Sequence, residues 1–261
     1  MNKILEIKNA TFSYDGNKNI WQDINIDVSD GDNICILGAN GCGKTTLFNC
    51  ITRNANLTSG TILLNGKNIN EYTITELARK IGIVYQDHTV TFPYKSLEVV
   101  KMGRTPYLKV FETPGKNDED IAYGIMKDLG IENLADTSYS KISGGQRQLV
   151  LIARTLCQSP EIILFDEPTS HLDFKNQAIV MKTIRQLAEK GITTIMTSHY
   201  PSHAYKTSNR VILMGNKKII ADGSPKDVMT EKFLQETYGV KIKINKTDEE
   251  QCFIDIDFRD I

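Results

Sequence analysis

The stretch Gly38-Ala39-Asn40-Gly41-Cys42-Gly43-Lys44-Thr45-Thr46 constrains this chain more than any other. It fits G-x-x-x-x-G-K-[ST], a loop that cradles phosphate groups. The context that the motif needs is present. Ile34-Cys35-Ile36-Leu37 precedes it as a short apolar run that reads as a buried strand, and Thr45 to Ile51 follows as a helix. Glycines let the backbone curl so that successive N–H groups face one anion, and a helix start adds roughly half a positive charge. In this arrangement Lys44 reaches the β and γ phosphates and the Thr45 hydroxyl ligates Mg²⁺. A glycine-rich turn with a chance lysine is the bland alternative, and the ordered strand, loop and helix tell against it. The expected ligand is a nucleoside triphosphate.

A second acidic feature reinforces the first. Ile162-Ile163-Leu164-Phe165 is an apolar strand that ends in Asp166-Glu167. A carboxylate at a strand end beside a phosphate loop holds Mg²⁺, which makes Asp166 the metal candidate. Glu167 is the candidate to take a proton from an attacking water. Ser143-Gly144-Gly145-Gln146 opens a helix whose Leu149, Ile152, Ala153 and Leu156 are expected to share one face. Ser143 with Gln146 three residues on is a capping box. Capping alone does not ask for two glycines, each of which weakens a first turn by about 1 kcal/mol. A second phosphate contact, made by the bared N–H groups of Gly144 and Gly145, is therefore expected.

Ser143-Gly144-Gly145-Gln146, about twenty residues before Phe165-Asp166-Glu167-Pro168-Thr169, resembles the signature and Walker B segments of ABC transporter ATPases. The resemblance spans nearly the whole chain, with Ile142 where leucine is commoner. It implies an α/β fold: a P-loop NTPase core with a parallel sheet, an antiparallel β subdomain and an inserted α-helical subdomain. It implies ATP and Mg²⁺ as ligands. Tyr14, in Phe12-Ser13-Tyr14, is similar to the aromatic that stacks on adenine. Gln86 matches the glutamine that touches Mg²⁺ and water and senses the membrane subunits. Ser170-His171-Leu172-Asp173 matches the loop that crosses a dimer interface, and Thr197-Ser198-His199 supplies the histidine that contacts the γ-phosphate. Lys44, Gln86, Glu167 and His199 then form the catalytic set, and Thr45, Gln86 and Asp166 the metal set. Tyr14, Gly38, Asn40 to Thr46 and Ser143 to Gln146 hold the nucleotide. The implied partners are a second copy of the chain, transmembrane permease subunits and, indirectly, an extracytoplasmic solute-binding protein.

Met102-Gly103-Arg104-Thr105-Pro106-Tyr107, Gln148 to Arg154 and Tyr238-Gly239-Val240 look like segments of importer ATPases for iron–siderophore complexes, haem and cobalamin. Relatives serving molybdate look similar. A soluble ABC ATPase of translation or DNA repair usually carries tandem cassettes or long coiled-coil insertions, and neither is seen here. A non-hydrolysing regulator would not need Glu167 and His199.

The rest of the chain sets bounds. At 261 residues it suits one or two domains. Lys and Arg number 31 against 32 Asp and Glu, a net charge of −1 without the basic excess that nucleic acid requires. The odd set of five cysteines, with no C-x-x-C pair, points to a reducing, cytoplasmic setting rather than a disulfide framework. No apolar run approaches the roughly 18 residues of a membrane span, so a place on the inner face of a membrane would come through a partner. The expected division is 1–90 for the first part of the nucleotide-binding core, 91–160 for the helical subdomain, 161–238 for the rest of the core and 239–261 for a terminal hairpin. His88, His171 and His203 have no metal-ligand spacing and receive no role. Asn245-Lys246-Thr247-Asp248 fits the guanine-reading N-K-x-D motif, but its strand alternates Lys and Ile and so is half exposed, which argues against GTP. Cys42 places a thiol at a helix start, where alkylation is expected to inhibit and MgATP to protect.

Overall fold

The computed structural model describes residues 3–86, 93–246 and 252–256. In chain order the elements open with β1 (Lys3–Ser13), β2 (Asn19–Ser29), β3 (Asn33–Leu37), α1 (Lys44–Ile51), β4 (Ser59–Leu64) and β5 (Lys67–Asn68). They continue with α2 (Ile74–Lys80), β6 (Ile81–Val84), α3 (Ser96–Lys101), α4 (Lys116–Asp128), α5 (Gly144–Leu156), β7 (Ile162–Phe165) and α6 (Phe174–Glu189). The last are β8 (Thr193–Ser198), α7 (Pro201–Thr207), β9 (Arg210–Gly215), β10 (Lys218–Gly223), α8 (Pro225–Val228), α9 (Glu231–Tyr238), β11 (Ile242–Lys246) and β12 (Cys252–Ile256). The chain divides into two units, Met1–Glu71 with Thr193–Ile261, and Tyr72–Ile192.

In the first unit, β3 runs parallel to both β8 and β9, and β10 closes on β9 antiparallel. Every residue of β3 and of β8 is buried, which is what an apolar run lacking alternation calls for in a parallel sheet covered on both faces. The antiparallel sheet has the order β2, β1, β4, β5. Along β2, Ile24, Ile26 and Val28 are buried while Asn25 and Asp27 are exposed, the period-two pattern of a half-solvated strand. Asn65 and Gly66, both at positive φ, turn β4 into β5 as the Asn-Gly signal demands. Between β9 and β10 the turn sits on Asn216-Lys217, at φ 48° and 63°. The sequence centres that turn on Gly-Asn. The chain instead places the asparagine and a lysine in the left-handed region, where Gly215 remains part of β9.

The second unit carries β6 and β7 as a parallel pair, with helices α3 to α6 around them. Helix α5 is not one-faced. Gln148, Leu149, Val150, Leu151, Ile152, Ala153 and Thr155 are all buried, while Leu156 is only partly so. The helix is therefore enclosed on most of its circumference, well beyond the face that Leu149, Ile152, Ala153 and Leu156 share. The segment Met102–Tyr107 forms a 3-10 helix locked from several sides. Arg104 donates from Nε to Asp118 at 3.0 Å and from Nη1 to the Cys157 carbonyl at 2.8 Å, and lies 4.0 Å over the Tyr107 ring. This ion pair holds the Asp118 carboxyl below the usual carboxylate range, with the Gly115 N–H adding a second hydrogen bond.

At the C-terminal end β11 pairs antiparallel with β12 from Ile242↔Ile256 to Lys246↔Cys252. Asn245 and Lys246 thus sit in a two-stranded ribbon, not at the end of a buried parallel strand. Thr247 and Asp248 of the N-K-x-D stretch, His88, Thr91 and the hairpin positions Asp257 and Phe258 lie outside the described residues.

Candidate active site

The expected site residues fall into two sets, one in each unit. In the first, β3 ends at Leu37 and Gly38 to Gly43 form the loop before α1 begins at Lys44. Gly41 and Gly43 hold φ of 80° and 100°. Gly43 is the helix's N-cap and provides no side-chain hydrogen bond, and the first turn has no acidic residue. A helix start preceded by a glycine N-cap suits an incoming anion. Glycine at 43 is also required by packing: a Cβ there would lie 2.6 Å from Cδ1 of Trp21, whose ring underlies the loop.

Lys44 is only 4% exposed, and its ammonium group donates to the carbonyls of Gly38 (2.9 Å) and Ala39 (3.3 Å). Its positive charge is thus held within the loop that it would serve. Tyr14 is 72% exposed; its hydroxyl shares a hydrogen bond of 2.9 Å with Thr46, and the edge-on contact with Phe12 leaves a ring face open to solvent. His199 follows β8, and Ser198 pairs with Leu37 in the sheet register, so this histidine and Gly38 leave neighbouring strand ends. The His199 ring stacks on Tyr200 at 3.9 Å, Tyr200 on His203 at 5.1 Å, and the Tyr238 hydroxyl donates to the His199 carbonyl at 3.4 Å. Burial, then the neighbouring His199, lowers the pKa of His203.

In the second unit, Val84 of β6 pairs with Phe165 of β7, so Gln86 and Asp166 emerge from the same edge of the strand pair. The Asp166 N–H donates to the Val84 carbonyl at 2.9 Å, and the residue is almost wholly buried. Glu167 takes φ of 43° and His171 φ of 64°, both uncommon for residues other than glycine. The Ser170 hydroxyl donates to Glu167 Oε2 at 3.2 Å, and Gln86 Nε2 lies 3.3 Å from His171 Nε2. Neither contact was foreseen; the only hint in the sequence is that Ser170-His171 follows Glu167 closely.

The capping box of α5 forms as expected, with the Gln146 N–H donating to Ser143 Oγ at 3.3 Å and the Ser143 N–H to Gln146 Oε1 at 2.9 Å. The two glycines have an additional explanation. A Cβ on Gly145 would run into the side chain of Asn176 on α6, and one on Gly144 would reach 3.3 Å from Leu172. Close packing of α5 against the Leu172–Asn176 segment therefore asks for glycine at 145 whatever the α5 N-terminus binds.

The donor set also suits a magnesium ion that arrives with a triphosphate. No group of three or more His, Cys, Asp or Glu side chains able to hold a metal exists among the described residues. Mg²⁺ usually relies on one or two protein oxygens plus phosphate and water; Thr45 in the first unit and Asp166 in the second each carry a side-chain oxygen of that kind.

A glycine-rich loop before a helix, an acidic strand end and a capped glycine pair are the features that a nucleotide-hydrolysing cassette calls for. The family model for the ABC transporter matches residues 21–170. The chain is 34% identical to the ferric enterobactin transport ATP-binding protein FepC of Escherichia coli, over 88% of this chain and 85% of that one. It is likewise 34% identical to the molybdate import ATP-binding protein MolC of Haemophilus influenzae, over 90% and 87%. Among solved structures, a chain from an inward-facing transporter assigned to the metal-chelate type superposes with a TM-score of 0.84 at 30% identity, covering 98% of this chain and 97% of the other. This chain belongs to the ABC transporter family and has its ATPase fold; its activity is ATP hydrolysis coupled to transport.

Proposed function

We propose that this chain is the ATPase subunit of an importer for an iron chelate, a siderophore or haem, or for cobalamin. Two copies close on two ATP molecules at the inner face of the membrane and drive permease subunits, which receive their cargo from an extracytoplasmic solute-binding protein. The observation that carries the substrate class is the likeness, along almost the full chain, to the ferric enterobactin ATPase and to the metal-chelate type transporter. Molybdate is the second reading, favoured by an equal identity to a molybdate import ATPase. Co-purifying the membrane partners and identifying the ligand of their binding protein decides between them; a molybdate-loaded binding protein would overturn the first reading.

Within each site one copy supplies Lys44 to the β and γ phosphates, the loop N–H groups from Asn40 to Thr46, and Tyr14 against adenine. Thr45, Gln86 and Asp166 face the magnesium of MgATP, which neutralises developing phosphate charge. Glu167 accepts the proton of the attacking water, and His199 holds the γ-phosphate. The second copy adds Ser143, Gly144 and Gly145, with Gln146 shaping that helix start, as hydrogen-bond donors to charge that builds up in the transition state. The glycine N-cap of α1 beside the buried Lys44 supports this assignment. Turnover per chain should therefore fall on dilution, and Glu167→Gln should bind ATP and accumulate as a dimer in light scattering. Constant turnover at every dilution would remove the shared site.

A further inference from the structure

His171 has no role in the scheme above, yet it occupies a left-handed backbone conformation and touches Gln86. Strained backbone at such a place is kept only when surrounding contacts enforce it, and it clusters where geometry matters for function. We propose that His171 is a positioning residue that fixes which end of the Gln86 carboxamide faces the nucleotide. This inference rests on the assignment of Gln86 to MgATP and its water.

The chemistry follows from what each atom can do. An amide nitrogen has only hydrogens to give, so at 3.3 Å Gln86 Nε2 donates and the imidazole Nε2 accepts, which leaves the imidazole proton on Nδ1. With the amide nitrogen committed in this way, the end left for a cation or for the water is the carbonyl oxygen Oε1. A free carboxamide can turn by half a revolution and present N–H groups to the same place, where they would repel Mg²⁺. An imidazole with its proton on Nδ1 disfavours that orientation, because its bare Nε2 would then face the carboxamide oxygen. The preceding residue does the parallel service for the proton acceptor, since the Ser170 hydroxyl donates to Glu167 Oε2 at 3.2 Å. Two adjacent residues of one loop thereby set both side chains expected to flank the attacking water.

The test compares the full-length chain with His171→Gly, which tolerates the left-handed backbone, and with His171→Gln, whose amide oxygen extends as far as the imidazole Nε2 and can accept from Gln86 in its place. Loss of one orienting hydrogen bond should lower kcat for MgATP by about 3- to 10-fold with little change in KM, and His171→Gln should restore most of it. Manganese binding to the ATP-loaded Glu167→Gln chain, followed by electron paramagnetic resonance, should weaken by about 3-fold when His171→Gly is added. In a Gln86→Ala background, His171→Gly should cost nothing further. Unchanged manganese affinity, or a His171→Gly loss that persists undiminished without Gln86, overturns the proposal. A Gln86→Ala chain with normal turnover instead sinks the assignment of Gln86 on which it rests.

Discussion

An alanine at position 43 would have to hold φ near 100° and press its methyl group into the Trp21 ring. The left-handed backbone costs roughly 1–2 kcal/mol and the overpacking about 1–3 kcal/mol more. Gly43→Ala is therefore expected to lower the unfolding free energy by at least ~2 kcal/mol, measurable by urea denaturation without any nucleotide. Gly145→Ala separates two roles in the same way. If packing against Asn176 is the constraint, the nucleotide-free chain should lose about 1–3 kcal/mol; a chain of unchanged stability would leave phosphate contact as the sole reason for the glycine. Of Cys35, Cys42, Cys50 and Cys157, Cys42 is the accessible thiol. Burial pushes the Cys50 and Cys157 thiols up to about 12 and raises Cys35 further still, so these stay protonated and shielded at neutral pH. Alkylation of the folded chain should mark Cys42 before them and MgATP should protect it, as peptide mass spectrometry would show. At this scale the sequence was most informative where the working residues are consecutive, as from Gly38 to Thr46 or across Asp166-Glu167. It was silent on Trp21 beneath Gly43, Asn176 beside Gly145 and His171 beside Gln86, because each of those meetings depends on how separate segments pack.

Among the elements, Met102–Tyr107 shows how a family-like segment can be a structural lock. Its arginine ties α4, through Asp118, to the end of α5, through the Cys157 carbonyl, and stacks on its own tyrosine. Arg104→Ala should destabilise the chain by about 1–3 kcal/mol, since it strands a carboxylate and a carbonyl together. The pH dependence has a definite sign. A carboxyl whose folded pKa is depressed adds stability above its ordinary value near 3.8, and that contribution is lost as pH falls through the folded value. Acid titration of the melting temperature should thus fall less steeply in Arg104→Ala than in the parent; identical slopes would mean that Asp118 titrates the same folded and unfolded. Most elements were legible from period and turn chemistry: the buried run of β3, the alternation of β2, the Asn65-Gly66 hairpin. On α5 the shared face of Leu149, Ile152, Ala153 and Leu156 was legible from their spacing, whereas the cover that α3, α4 and α6 give its other sides is recorded in no local pattern.

For the molecule as a whole, no helix among the described residues is long and apolar enough to cross a membrane. The chain has a single tryptophan, and it is the residue whose indole, fully buried and with no hydrogen-bond partner for its Nε1, lies under Gly43 at the start of α1. Ultraviolet emission from the protein at 295 nm excitation thus originates at one spot, a few ångströms from where triphosphate charge arrives. Adding ATP should shift or quench that signal, and Trp21→Phe should abolish the response while binding persists by calorimetry. A dye-free stopped-flow trace could then time filling and emptying of the cassette in its native transporter, against a background set only by the partners' own indoles.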